Sequence, residues 1–176
     1  MFEKDYRFSG DHAVMVDNML IENGGIFDTV YDAFFTAAIV GILIKKKSNA
    51  RGDKNNYKTI FADKFNNERE NTNLILRTII LNDDLELSGK DDEKINRSFR
   101  NFATDEETKK LNRKLIESYA FAGIEEIYNK FEQEYIKKNI NKVDIIDFVD
   151  KLIDLYSDNN GEFQNVRDKI IDMARR

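Results

Sequence analysis

The sequence predicts an all-α, single-domain bundle of about six or seven helices, built around one central buried helix at 28–45. Three observations predict it. The run from Ile26 to Ile44 is the most apolar stretch of a polar chain, and it stops abruptly at Lys45-Lys46-Lys47. No proline occurs in 176 residues, which suits helices joined by short turns. Apolar residues recur at helical spacing through most of the remainder. Only Tyr57-Lys58-Thr59-Ile60-Phe61 reads as a strand.

Composition narrows the chemistry. A charged fraction of 35% beside 41% hydrophobic residues describes a globular chain with a heavily charged surface. The absence of cysteine excludes thiol nucleophiles, disulfides and thiolate metal sites. A single histidine, His12, excludes multi-histidine metal centres. No cofactor or metal is therefore expected. A net charge of −5 argues against a dedicated nucleic-acid binder. The N-terminus lacks a basic-then-apolar leader. The central run falls short of the roughly 20 apolar residues of a membrane span and contains Asp28 and Asp32. A cytoplasmic protein without membrane contact is expected.

In chain order, residues 1–10 read as irregular, with Phe2, Tyr6 and Phe8 packing back onto the fold. Asp11 reads as the N-cap of a first helix, which Asn23-Gly24-Gly25 terminates. Asp28 or Thr29 caps the central helix, whose small residues Ala33, Ala37, Ala38 and Gly41 favour a close helix crossing. Residues 45–58 form a long loop. A second core helix is expected at about 68–82, through Leu74, Ile75, Leu76, Ile79, Ile80 and Leu81. An acidic turn follows, and then a helix through Ile95, Phe99 and Phe102. Thr104 and Glu107 have capping-box spacing before a long helix at about 105–139. Its buried stripe runs Leu111, Leu115, Tyr119, Ile124, Ile127, Tyr128, Phe131 and Tyr135. Ala120 to Gly123 is its crossing point with the central helix. Helices at about 142–157 and 162–174 complete the chain, and 142–176 reads as a C-terminal hairpin extension.

Four groups of residues could carry chemistry. Arg7 and His12 have a spacing similar to that of metal-independent helical RNases, in which Arg and His act on the scissile phosphate. Here, however, Phe8 follows Arg7 and the pair lies in the N-terminal tail. Asp158-Asn159-Asn160-Gly161 resembles a calcium loop, but the register puts Tyr156 and Arg167 at ligand positions, so a plain turn is preferred. The dense carboxylates Asp83, Asp84, Glu86, Asp91, Asp92 and Glu93 lack a matching base or phosphate loop and read as a solvated acidic turn. The fourth group is cationic. Lys45, Lys46, Lys47, Arg51, Lys54, Lys58 and Lys64 face only Asp53 and Asp63, a local balance of +5. Such a segment can bind phosphates or an acidic protein surface. Lys45, Lys46, Lys47, Arg51, Lys54 and Lys58 are the candidate binding residues, and no catalytic residue is assigned. With the acidic residues after Asp144, this charge segregation also suits self-association.

Two blocks carry a family resemblance. Phe27-x-x-x-Tyr31-Asp32-Ala33-Phe34-Phe35-x-Ala37-Ala38-x-x-Gly41, followed by its basic patch, resembles the opening block of small proteins encoded beside bacterial DNA phosphorothioation (Dnd) genes. Glu117-Ser118-Tyr119-Ala120-Phe121-Ala122-Gly123-Ile124-Glu125 resembles their Glu-x-Tyr-Ala-x-x-Gly block. The chain departs from them in a longer 45–73 region and in the segment from about 142 onward. The resemblance implies an accessory component of an anti-phage defence or DNA-modification system, with no activity to carry over. The expected function is thus a non-enzymatic adaptor whose basic loop 45–58 contacts a larger protein, and nucleic acid as an option. The alternatives are a small helical RNase using Arg7 and His12, or a phage-encoded inhibitor.

Overall fold

The computed structural model describes residues 2–102 and 104–132. In chain order these form β1 (Tyr6–Ser9), α1 (Asp11–Asn18), α2 (Val30–Leu43), β2 (Tyr57–Ile60), α3 (Ala62–Asn67), α4 (Arg69–Leu81), α5 (Asp91–Ile95) and α6 (Glu106–Phe131). The fold is mostly helical. It also holds one small two-stranded sheet that the all-α expectation did not include: β1 and β2 pair antiparallel, with Tyr6 opposite Ile60 and Ser9 opposite Tyr57. The tail expected to be irregular is therefore a strand, and the strand-like run at 57 is its partner. Period-2 alternation explains the pairing. Tyr6, Phe8 and Ile60 point into the core while Arg7 and Tyr57 point out.

The central helix is α2, shorter at both ends than the predicted 28–45 span. Thr29 caps it: its side chain accepts from the Asp32 amide at 3.2 Å, and its hydroxyl donates to the Asp32 carboxylate at 2.6 Å. Eight of its residues, from Tyr31 to Gly41, are buried. Its rings join Phe2, Tyr6, Phe8 and Phe65 in one aromatic cluster, in which Phe2 and Phe65 stack at 4.6 Å. The N-terminal aromatics do pack back onto the core, as expected.

Helix α6 lies against α2 in the expected crossing. A Cβ on Gly41 would stand 2.0 Å from the Tyr119 carbonyl oxygen, and one on Gly123 would stand 1.8 Å from that of Ala37. Gly41 therefore faces Tyr119 while Gly123 faces Ala37, so the two helices run antiparallel. The cap of α6 differs from the predicted capping box. Asp105 accepts from the Thr108 amide at 2.7 Å, one residue later than a Thr104 cap. Likewise Asp11 is the first helical residue of α1, and Gly10 occupies the cap position.

Some predicted apolar faces stay in water: Leu74, Ile95, Phe99 and Leu111 are all exposed. The segment after α5 passes through a π-helical turn at Asn96–Arg100. There Arg97 donates to Asn112 of α6 at 2.9 Å. Among the described residues, no helix is long and apolar enough to cross a membrane. The helices predicted at 142–157 and 162–174, the turn at 158–161 and the last part of the 105–139 helix lie outside the described residues.

Candidate binding loop and its anchors

The candidate residues fall on the segment between α2 and β2. It begins at the C-terminus of α2, where the chain turns through a Schellman motif. The Lys46 amide donates to the Gly41 carbonyl at 3.1 Å and the Lys45 amide to that of Ile42 at 3.1 Å. Lys45 takes the left-handed position with φ 52°, where glycine is the usual occupant because a Cβ is penalised there. This corner turns Lys45 and Lys46 into solvent.

From there the segment is pinned along its length. The Ser48 amide donates to the Ser118 carbonyl at 2.9 Å, the Asp11 amide to that of Arg51 at 2.8 Å, and the Gly10 amide to that of Asn56 at 2.8 Å. Gly10 is required at its position: its φ is +89°, and a Cβ there would stand 1.8 Å from the Arg51 carbonyl oxygen.

Side chains complete the anchoring around Glu125 of α6. A single oxygen, Oε1, accepts from His12 Nε2 at 2.8 Å and from Ser48 Oγ at 2.7 Å, with Arg51 Nη2 at 3.4 Å. Arg51 also faces Asp11 at 3.6 Å. His12 is 0% exposed and stacks on Phe121 at 4.5 Å. Because the carboxylate accepts, Nε2 carries the proton, and Nδ1 is a buried acceptor with no hydrogen-bond partner. Burial pushes Glu125 up, but the hydrogen bonds from Ser48 and His12 and the charge of Arg51 outweigh it and hold the carboxyl below its usual value. A carboxylate so stabilised is a weak base. The Ser48 hydroxyl points at Glu125 and not at the imidazole, so the trio does not form an activated nucleophile. It is a clamp that joins α1, the loop and α6.

A pH dependence follows. Burial lowers the His12 pKa from the ordinary 6.5, against the upward pull of the Glu125 hydrogen bond and charge. The folded state thus prefers neutral His12, and the unfolded chain binds the proton more readily. This contribution to stability is present above the unfolded pKa and is lost as pH falls below it. The denaturant midpoint should drop between about pH 7.5 and about pH 5.5. It should drop less in His12→Gln, which keeps a donor for Glu125 but does not titrate. Equal slopes in the two proteins would refute the assignment.

The loop's cations divide into two sets. Lys47 turns inward: its Nζ lies 3.1 Å from Asp83 and 2.8 Å from Glu86, and 4.7 Å from the Tyr119 ring centroid. Lys58 pairs with Asp17, and Lys64 lies 3.5 Å from Glu68. Arg51 is held by Asp11 and Glu125. Lys47, Lys58 and Arg51 are neutralised by carboxylates distant in sequence and Lys64 by one a helical turn away, all of them outside the segment over which the charge was counted. Lys45, Lys46 and Lys54 are exposed, and their side chains make no ion pair among the described residues. Beside Lys46 a cleft of about 260 Å³ is lined by Ser48, Glu125, Glu126 and Asn129. It lies below the roughly 300 Å³ at which ligand pockets begin.

Asp83 corrects the picture of a solvated acidic turn. It is 0% exposed. Its Oδ1 accepts from the Tyr119 hydroxyl at 2.5 Å and from the Leu85 and Glu86 amides at 3.2 and 3.3 Å. Asp84 and Glu86, by contrast, are exposed, as expected. Arg7 and His12 are not brought together. Arg7 stands over the Tyr57 ring at 4.1 Å on the outside of the sheet, while His12 is buried against Phe121. Among the described residues, no group of three or more His, Asp or Glu side chains is placed to hold a metal ion. Compared with known proteins, the chain matches no family model, no curated protein and no solved structure.

Proposed function

We propose that the chain is a non-enzymatic accessory subunit that docks on a larger protein through Lys45, Lys46 and Lys54. One observation carries this reading. The loop is bonded to α1, α6 and the end of α2, yet it presents three exposed cations that no carboxylate among the described residues neutralises. A pinned loop loses little conformational entropy on binding, so its charges contribute more of their attraction to affinity. The left-handed backbone at Lys45 fits this role, since a lysine is kept where glycine would be less strained. The matching surface is acidic, because cations of this kind steer association with an opposite potential. Placement in an anti-phage defence or DNA-modification complex rests on the resemblance of the Phe27–Gly41 and Glu117–Glu125 blocks.

The test is Lys45→Glu/Lys46→Glu/Lys54→Glu, three exposed positions whose replacement leaves the thermal midpoint unchanged. Lys47 is left alone because it faces the buried Asp83. At native expression level the wild type should co-purify with one larger protein in stoichiometric amount, less so as salt rises. The triple variant should lose that protein. Recovery of the same protein by the triple variant, or of none by the wild type, sinks the proposal.

A further inference from the structure

We propose a second binding surface: the outer face of the β1–β2 sheet, as a stacking platform for single-stranded nucleic acid. It is independent of the docking loop, since it uses different residues on a different element. Antiparallel register places Arg7 opposite Thr59 and Ser9 opposite Tyr57. The Gly10 amide bonds the Asn56 carbonyl, which makes Arg7–Thr59 and Ser9–Tyr57 the non-hydrogen-bonded pairs, with side chains closest together. Strand alternation puts Tyr57 and Thr59 on the outer face, and the extended backbone of Phe61 (φ −74°, ψ 148°) continues it.

The result is two aromatic rings on one side of one strand, Tyr57 51% exposed and Phe61 65% exposed. Four extended residues separate them, about 13 Å, far enough to hold separate bases. The Arg7 guanidinium carbon lies over the Tyr57 ring, 4.1 Å from its centroid. Lys4 is exposed close by in sequence, just before β1. Asp5, just before β1, accepts from the Ala62 amide at 2.9 Å.

Aromatic rings that accept base faces, with cations placed for the backbone, are what single-strand binding requires. A duplex would not fit the same chemistry, because its bases are already stacked and the rings would meet only sugar and phosphate. An added peptide strand would use the sheet edge and its backbone groups, leaving Tyr57 and Phe61 without a role. The binding is expected to be sequence-tolerant, since every base has a π-face.

The experiment is fluorescence anisotropy with a labelled oligothymidylate of about 10 nucleotides, titrated with the full chain between about 50 and 200 mM salt. The single strand should bind more tightly than the matching duplex and weaken with salt. Tyr57→Ala and Phe61→Ala should each weaken binding about 5- to 150-fold. Arg7→Ala should weaken it and lower the salt slope by about 0.7. Phe99→Ala, an exposed ring on another element, should change nothing. All four side chains are exposed, so unfolding midpoints should match the wild type. The Lys45/Lys46/Lys54 variant reports separately on the docking loop. Absence of oligonucleotide binding at the lowest salt would overturn the platform. Equal binding of duplex and single strand, or binding untouched by Tyr57→Ala and Phe61→Ala, would overturn it as well. So would capture of an extended peptide, and not of nucleic acid, by this face.

Discussion

Lys47→Met should destabilise the protein by about 3 kcal/mol, a fall in thermal midpoint of about 6–12 °C for a chain of this size. The substitution keeps most of the side-chain volume and removes the charge. It strands Asp83, which is 0% exposed and already has one oxygen, Oδ2, without a partner. Burial pushes the Asp83 carboxyl up. The Tyr119 hydroxyl and the Lys47 ammonium, with help from the Glu86 amide, pull it below its usual value. Without Lys47 the first effect faces only the hydroxyl and amides, and an uncompensated buried charge costs more than the pair contributed. The expected loss sits at the lower end of the range because exposed Glu86 shares the lysine. Asp83→Asn in the same chain should recover much of it, since the neutral amide no longer needs a counter-charge. A double-mutant cycle therefore reads out the coupling. A Lys47→Met protein within about 0.5 kcal/mol of wild type would mean that the pair is solvated after all.

The same lysine shows where the sequence was legible and where it was not. The long apolar run located α2, and helical periodicity located α4 and the start of α6, to within a few residues, because burial is written locally. The α2–α6 crossing was legible too, because small residues at Ala33, Ala37, Gly41 and Ala120–Gly123 have few other uses in buried helices. The sheet was half legible. Tyr57–Phe61 reads as a strand, but its partner Tyr6–Ser9 lies some fifty positions away, and four residues are too few for a periodic signal. The least legible part was charge. Lys45, Lys46 and Lys47 are adjacent and alike in sequence, yet two face water and one faces Asp83. That outcome depends on where the acidic turn after α4 comes to rest, which no local pattern encodes. Arg51 and Lys58 repeat the point: Glu125, Asp11 and Asp17 reach them only in the fold. A local count of +5 therefore overstated the charge the loop offers, and Lys45, Lys46 and Lys54 are the part of it that remains exposed and outside any ion pair among the described residues.

Gly123→Ala should lower stability by about 3 kcal/mol or more, and here the sign alone decides between two accounts. Judged by helix propensity, alanine is better than glycine inside a helix by about 1 kcal/mol, so α6 should gain. Judged by the crossing, it should lose. The new Cβ would stand 1.8 Å from the Ala37 carbonyl oxygen and 2.6 Å from its carbon. These are backbone atoms of a buried helix, not the end of a flexible side chain. Relief requires α2 and α6 to move apart. That movement opens gaps along the flanking contacts, where Ala33, Phe34, Ala38, Tyr119 and Ala120 are fully buried, and close-packed interiors lose attraction steeply over such gaps. The reciprocal site should behave alike, since a Cβ on Gly41 meets the Tyr119 carbonyl oxygen at 2.0 Å. Combining Gly41→Ala with Gly123→Ala should cost less than the two separately, because one separation of the helices relieves both clashes. Thermal unfolding of the two single variants and the double variant measures this. A midpoint that rises in Gly123→Ala would show that propensity governs and that α2 and α6 do not touch backbone to backbone.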